Sequence, residues 1–211
     1  MHTTPLRKPP SYWPRAKRYL SEVDPILGQL ISRYQGQTLS SKGNAFFSLA
    51  RAIVGQQISV SAAESIWNRL KTALQNEMLP STLLALSEAD LRSAGLSRQK
   101  ALYLRELALF FSARRRQTWR GQDDDTVIAE LLSIKGIGRW SAEMFLIFHL
   151  LRPDVFPIAD LGVRKAIERH YFGGVKTPTS TLVNLAERWR PYRTVATWYL
   201  WHSIDPIPVT Y

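Results

Sequence analysis

Two short stretches carry residue types at a spacing that can do chemistry on a phosphate-bearing partner. In Leu131-Leu132-Ser133-Ile134-Lys135-Gly136-Ile137-Gly138-Arg139-Trp140-Ser141-Ala142, two glycines separated by one residue divide two apolar helical patterns. Glycine lets a backbone come close to another surface, and a helix that starts at once offers unpaired N–H groups. That arrangement suits a phosphate oxygen, with Lys135 and Arg139 adding positive charge on either side. No strand pattern precedes it, which disfavours a dinucleotide-binding turn. The second stretch, Asp154-Val155-Phe156-Pro157-Ile158-Ala159-Asp160-Leu161-Gly162-Val163-Arg164-Lys165, sets Asp160 after a proline-bearing loop. An amphipathic run through Leu161, Val163, Ala166 and Ile167 follows. Taken alone, an aspartate there reads as a helix N-cap.

Composition removes several other chemistries. The 211 residues contain no cysteine, which excludes disulfides, a thiol nucleophile, cysteine zinc sites and iron–sulfur clusters, and fits a reducing cytoplasm. Four scattered histidines, His2, His149, His170 and His202, show no metal-ligand spacing, and His149 sits in an apolar run as a core residue would. With 28 Lys and Arg against 17 Asp and Glu, the formal charge is +11. Such an excess attracts a polyanion, since each neutralised phosphate releases counterions. Nucleic acid leads; a ribosomal or membrane-surface role is the blander reading. No apolar run is long enough to span a bilayer, and Met1-His2-Thr3-Thr4-Pro5 does not read as a signal peptide.

The elements that must position these residues are helical almost throughout. Phe46, Phe47, Leu49, Ala50, Ile53 and Val54 share one face, as do Ala62, Ala63, Ile66, Trp67, Leu70 and Leu74. The period returns in Leu104, Leu107, Ala108 and Phe111, in Val127, Ile128, Leu131 and Leu132, from Trp140 to Leu151, and in Val195, Trp198, Tyr199 and Trp201. The proline in Val155-Phe156-Pro157-Ile158 argues against a central strand. Asp123-Asp124-Asp125 marks a helix start and Arg114-Arg115-Arg116 a helix end. These patterns predict an all-α protein of roughly ten short helices.

Around these residues the sequence resembles the helix-hairpin-helix base-excision DNA glycosylases, closest to the 3-methyladenine DNA glycosylase II branch. Segment 131–142 matches the hairpin and 154–165 the loop with the family's catalytic aspartate, at Asp160. Ala52-Ile53-Val54-Gly55-Gln56-Gln57-Ile58-Ser59-Val60-Ser61-Ala62-Ala63, Gly95-Leu96-Ser97-Arg98-Gln99-Lys100-Ala101 and Arg188-Trp189-Arg190-Pro191-Tyr192-Arg193 match further segments in order. The likeness runs from about residue 15 to 205. It implies two packed helical subdomains with the active site in the cleft between them: 12–42 plus 154–211, and 43–153 carrying the hairpin. Residues 1–11 read as a flexible basic arm, with no room for an extra N-terminal sheet domain.

The resemblance implies a role for each matched position. Asp160 stabilises positive charge on the deoxyribose; Trp140, Met144, Leu161 and Trp201 line the base pocket; and Gln57 is the wedge that fills the gap in the duplex. Lys135, Gly136, Ile137, Gly138, Arg139, Arg98 and Lys100 contact DNA phosphates. Relatives that cut the strand carry a lysine two residues after the second hairpin glycine; Trp140 stands there, which implies hydrolysis without strand cleavage. Met144 and Leu161 depart from a more aromatic pocket. No redox or nucleotide cofactor is implied, but hairpins of this kind often hold a monovalent cation, Na+ or K+, through carbonyls matching Leu132, Ile134 and Ile137. The expected partner is damaged double-stranded DNA, bound by a cytoplasmic, nucleoid-associated monomer without membrane contact. Two alternatives remain: a noncatalytic DNA-binding protein on the same scaffold, and a glycosylase for deaminated or other lesions.

Overall fold

A computed structural model describes residues 9–41, 44–113 and 119–204. Every regular element among them is helical. The arginine run at 114–116 and most of the basic arm lie outside the described residues. The chain divides into two compact units, Met1–Ser41 with Leu151–Thr210, and Lys42–Leu150. The second crossing falls before Leu151 because the next residues are tied to the first unit. Tyr12 Oη donates to the Leu151 carbonyl at 2.8 Å, and Thr194 Oγ1 donates to that of Arg152 at 2.7 Å.

The first unit holds α1 (Trp13–Val23), α2 (Pro25–Arg33), α10 (Leu161–Tyr171), α11 (Thr179–Glu187) and α12 (Arg193–Ile204). Trp13, Ala16 and Leu20 are buried at helical spacing along α1. α12 is buried from Thr194 to His202 and packs against α1, α2 and α10. Trp13 meets Trp198 edge-on at 5.3 Å, an aromatic contact whose truncation costs about 3–5 kcal/mol. Asp24 caps α2 by accepting the N–H groups of Ile26 and Leu27, each at 3.1 Å. Its other oxygen accepts Tyr171 Oη at 2.9 Å and Trp189 Nε1 at 2.8 Å, so this buried carboxylate is fully partnered. Burial, then the Asp24 charge, pushes the Tyr171 hydroxyl far above the usual phenol range.

The second unit holds α3 (Ala45–Gly55), α4 (Val60–Ala73), α5 (Pro80–Ala85), α6 (Glu88–Ser93), α7 (Arg98–Ala113), a 3-10 turn at Trp119–Gly121, α8 (Asp124–Leu132) and α9 (Arg139–Phe148). α3 packs against both α7 and α9. An aromatic chain runs Phe46–Phe111–Trp119–Phe145 with centroid spacings of 5.5, 6.0 and 5.0 Å. Asp123 caps α8 through the Thr126 N–H at 2.8 Å, as the acidic run predicts. The described helices number twelve. The excess over the sequence reading includes α5 and α6, six residues each and too short to show a clear period.

Candidate functional site

The loop that delivers Asp160 is fastened to α12 at both of its ends. At its start Arg193 forks onto the Asp154 carboxylate, Nε to Oδ1 at 2.8 Å and Nη2 to Oδ2 at 3.0 Å. Arg190 Nη1 joins Oδ2 at 2.8 Å, and the Val155 N–H donates to Thr194 Oγ1 at 2.9 Å. At its end Trp201, about two turns further along α12, donates its indole N–H to Asp160 Oδ1 at 2.8 Å. The same oxygen accepts the Val163 N–H at 2.8 Å, which makes Asp160 the N-cap of α10. Two donors on one oxygen fix the half-buried carboxylate in place. The N-cap seen in the sequence therefore uses only one oxygen of the carboxylate for the Val163 N–H and the Trp201 indole. A Cβ on Gly162 would stand 3.0 Å from Asp160 Oδ1 and 3.2 Å from Trp201 Cδ1, so glycine leaves room for the pair.

In the second unit the hairpin is set by backbone geometry. α8 ends at Leu132. The N–H groups of Ser133 and Ile134 turn back to Glu130 and Leu131 at 3.2 and 3.1 Å, tightening the last turn. Gly136 has φ 92°, and a Cβ there would lie 2.1 Å from Tyr103 Cγ, so both backbone and ring demand glycine. Gly138 caps α9 without a side-chain bond to its opening N–H groups. Ile134 and Ile137 are buried and anchor the turn, whereas Lys135 and Arg139 are exposed. Arg139 Nε also meets Glu143 Oε1 at 3.1 Å.

The turn between α3 and α4 lies in the same unit. Gln57 there is exposed and has φ 56°, a left-handed conformation that costs a non-glycine residue about 1–3 kcal/mol. Gln56, beside it, donates its amide Nε2 to the Gly136 carbonyl and to Ser141 Oγ, both at 2.9 Å. Gln56, Gln57, Lys100, Tyr103 and the hairpin residues 136–138 line one depression.

The other site residues expected from sequence have the following surroundings. Lys100 Nζ donates to the carbonyls of Val54 and Gln56 at 2.7 and 2.8 Å, so two of its three donors cap the end of α3. Burial draws its ammonium below the usual lysine range. Arg98 is exposed and pairs weakly with Glu88 at 3.6 Å. Met144 is 1% exposed, and α9 is buried throughout from Ser141 to Phe148. Trp140 is half-buried at the start of α9. Leu161 is 71% exposed, next to Asp160, and Trp201 is 9% exposed. Sequence reasoning missed Gln56, Tyr103 and Gly162; the positive-φ glycine was the one local signal that a close neighbour such as Tyr103 existed.

The candidate cation ligands can be tested on their own bonds. The Ile134 carbonyl accepts the Ile137 N–H at 3.0 Å, and those of Leu132 and Ile137 accept no hydrogen bond among the described residues. Carbonyl oxygens with spare lone pairs suit a hard cation, so these residues fit. Among the described residues no group of three His, Asp or Glu could hold a metal ion. No described helix is long and apolar enough to cross a membrane.

Residues 50–191 match the family described as HhH-GPD superfamily base excision DNA repair protein. The chain is 33% identical over 199 residues to DNA-3-methyladenine glycosylase 1 of Schizosaccharomyces pombe, covering 90% of this chain and 86% of that one. It is 29% identical over 193 residues to DNA-3-methyladenine glycosylase 2 of Escherichia coli, covering 86% and 65%. A solved structure of a Schizosaccharomyces pombe 3-methyladenine DNA glycosylase in complex with abasic DNA superposes with a TM-score of 0.82. It shares 29% identity and covers 93% of this chain and 100% of that one. The chain belongs to the HhH-GPD superfamily of base excision DNA repair proteins.

Proposed function

We propose that the protein is a monofunctional DNA glycosylase that flips alkylated bases, of the 3-methyladenine and 7-methylguanine type, out of duplex DNA and hydrolyses their glycosidic bond. One observation carries the reading: Asp160, at the family's aspartate position, has one carboxylate oxygen fixed by Trp201 and Val163. As the base departs, positive charge develops on the sugar, and a fixed carboxylate stabilises it without reorganising. The same group orients the attacking water or takes its proton. Flipping exposes a bond that the stacked duplex hides, with Gln57 occupying the gap. The half-buried face of Trp140 favours a base made cationic by N-alkylation. Such a base is already a good leaving group, so the site needs no dedicated acid.

The hairpin backbone, with Lys135 and Arg139, holds a phosphate of the same strand. A monovalent cation on the Leu132, Ile134 and Ile137 carbonyls would supply positive charge facing that phosphate. Trp140 has no amine to attack the sugar, so the product is an intact strand with an abasic site. The protein acts as a cytoplasmic monomer on damaged duplex DNA. The test is chromatography of the bases freed from methylated duplex DNA, with a parallel borohydride trap. Release of 3-methyladenine or 7-methylguanine without a covalent adduct is expected. A trapped adduct overturns the monofunctional reading, and release of deaminated bases alone overturns the substrate class.

A further inference from the structure

We infer that Gln56 is a positioning residue that couples the hairpin's hold on phosphate to insertion of Gln57 into the duplex. The inference rests on the reading of Gln57 as the wedge. Its basis is a set of bonds within the second unit. The Gln56 amide bridges the Gly136 carbonyl and Ser141 Oγ, both at 2.9 Å, so it holds the turn and the first helical turn of α9 together. Its own carbonyl is held by Lys100 Nζ at 2.8 Å, and the same ammonium holds the Val54 carbonyl at 2.7 Å. Three residues along α7, Tyr103 packs against Gly136 so closely that no Cβ fits. One helix therefore grips both the end of α3 and the hairpin, and Gln56 links those two directly.

The consequence falls on the next residue. Gln57 is exposed in a left-handed conformation that its side chain does not favour, and that side chain makes no hydrogen bond among the described residues to hold it there. The chain enters that conformation from Gln56, whose amide and carbonyl are both tied down. A phosphate docked on Gly136–Gly138 thus sits one hydrogen bond from the residue that aims the wedge. Removing the amide leaves the phosphate site and the Gln57 side chain intact but frees the register between them.

Insertion can be read without catalysis. The probe is a duplex with a tetrahydrofuran abasic site facing 2-aminopurine, whose fluorescence reports its stacking. It is titrated to saturation so that every duplex is bound. Wild type is expected to change the fluorescence at least threefold. Gln57→Ala is expected to lose that change, and Gln56→Leu to lose at least two-thirds of it, with the double variant no worse than Gln57→Ala. Ser141→Ala removes one acceptor, leaves Gly136 untouched and gives an intermediate response, which keeps the test open should Gln56→Leu misfold. A full response from Gln57→Ala overturns the wedge reading itself. Loss in Gln57→Ala with a full response in Gln56→Leu, or in Ser141→Ala when Gln56→Leu is unfolded, overturns the coupling alone.

Discussion

Asp160 and the hairpin glycine are held by opposite means. Asp160 is positioned by donors that reach it: an indole from α12 and a backbone N–H three residues on. Gly136 is positioned by what it lacks, since its missing side chain admits both a φ of 92° and the Tyr103 ring. A carboxylate that must meet transient charge needs fixed partners and tolerates small shifts in its surroundings. A phosphate grip needs backbone N–H groups at the surface, and any added atom displaces them. The first region should therefore lose turnover when altered, and the second should lose structure and affinity.

The largest effect should come from Gly136→Ala. Strained backbone and a clash with Tyr103 together are worth about 3 kcal/mol or more, so thermal unfolding should shift down and duplex affinity fall about 100-fold. Near-normal values would show that the hairpin is not built as described. Acid should also act on the second unit. Burial, then the charge of Arg120, pushes His149 down to about 4. The unfolded histidine binds its proton nearer pH 6.5, so the stability from the neutral form is complete above 6.5 and lost as pH falls toward 4. Up to about 3 kcal/mol is at stake, and His149→Phe should flatten unfolding free energy across that window. An unchanged slope would remove His149 from the account.

Trp201→Phe sharpens the other side of the comparison. It keeps an aromatic ring but deletes the donor, and a hydrogen bond to a charged group is worth about 1.5–3 kcal/mol. Single-turnover base release should slow about 10- to 100-fold while duplex affinity moves less than about threefold. An affinity loss with unchanged turnover would return Trp201 to the role of pocket wall alone. The smallest effect concerns Lys100. Lys100→Met should cost about 1 kcal/mol of stability and leave the salt dependence of duplex binding unchanged, whereas Lys135→Met should reduce its log–log slope by about 0.9. Equal slopes for the two variants would contradict the capping role.

Legibility in the sequence followed distance along the chain. The tight turn at the hairpin glycines, the acidic start of α8 and the cap at Asp160 show in residues within three or four positions, and pattern alone finds them, although the Tyr103 ring that also demands Gly136 lies far along the chain. The Asp160–Trp201 bond spans 41 residues, Lys100 to Val54 spans 46, and Gln56 to Ser141 spans 85. No period encodes such pairs; packing creates them. Lys100 follows Gly95 at a helix start and therefore looks like a phosphate ligand; that two of its donors go to carbonyls at the end of α3 is visible only in the fold. Met144 illustrates a related limit. α9 is buried on every side from Ser141 on, so its apolar run says nothing about which residue borders a ligand. Gln56 stands in a matched segment with no role suggested by its type, and only the folded chain shows that it touches the hairpin.

The most direct test of the central claim compares wild type with Asp160→Asn for release of 3-methyladenine from methylated duplex DNA, under single-turnover conditions at matched saturation. Asparagine is near in size and still accepts hydrogen bonds, but it carries no charge to meet the developing cation. The account predicts that Asp160→Asn binds the duplex and releases base at least about a thousandfold more slowly. Turnover within a few fold of wild type would contradict it.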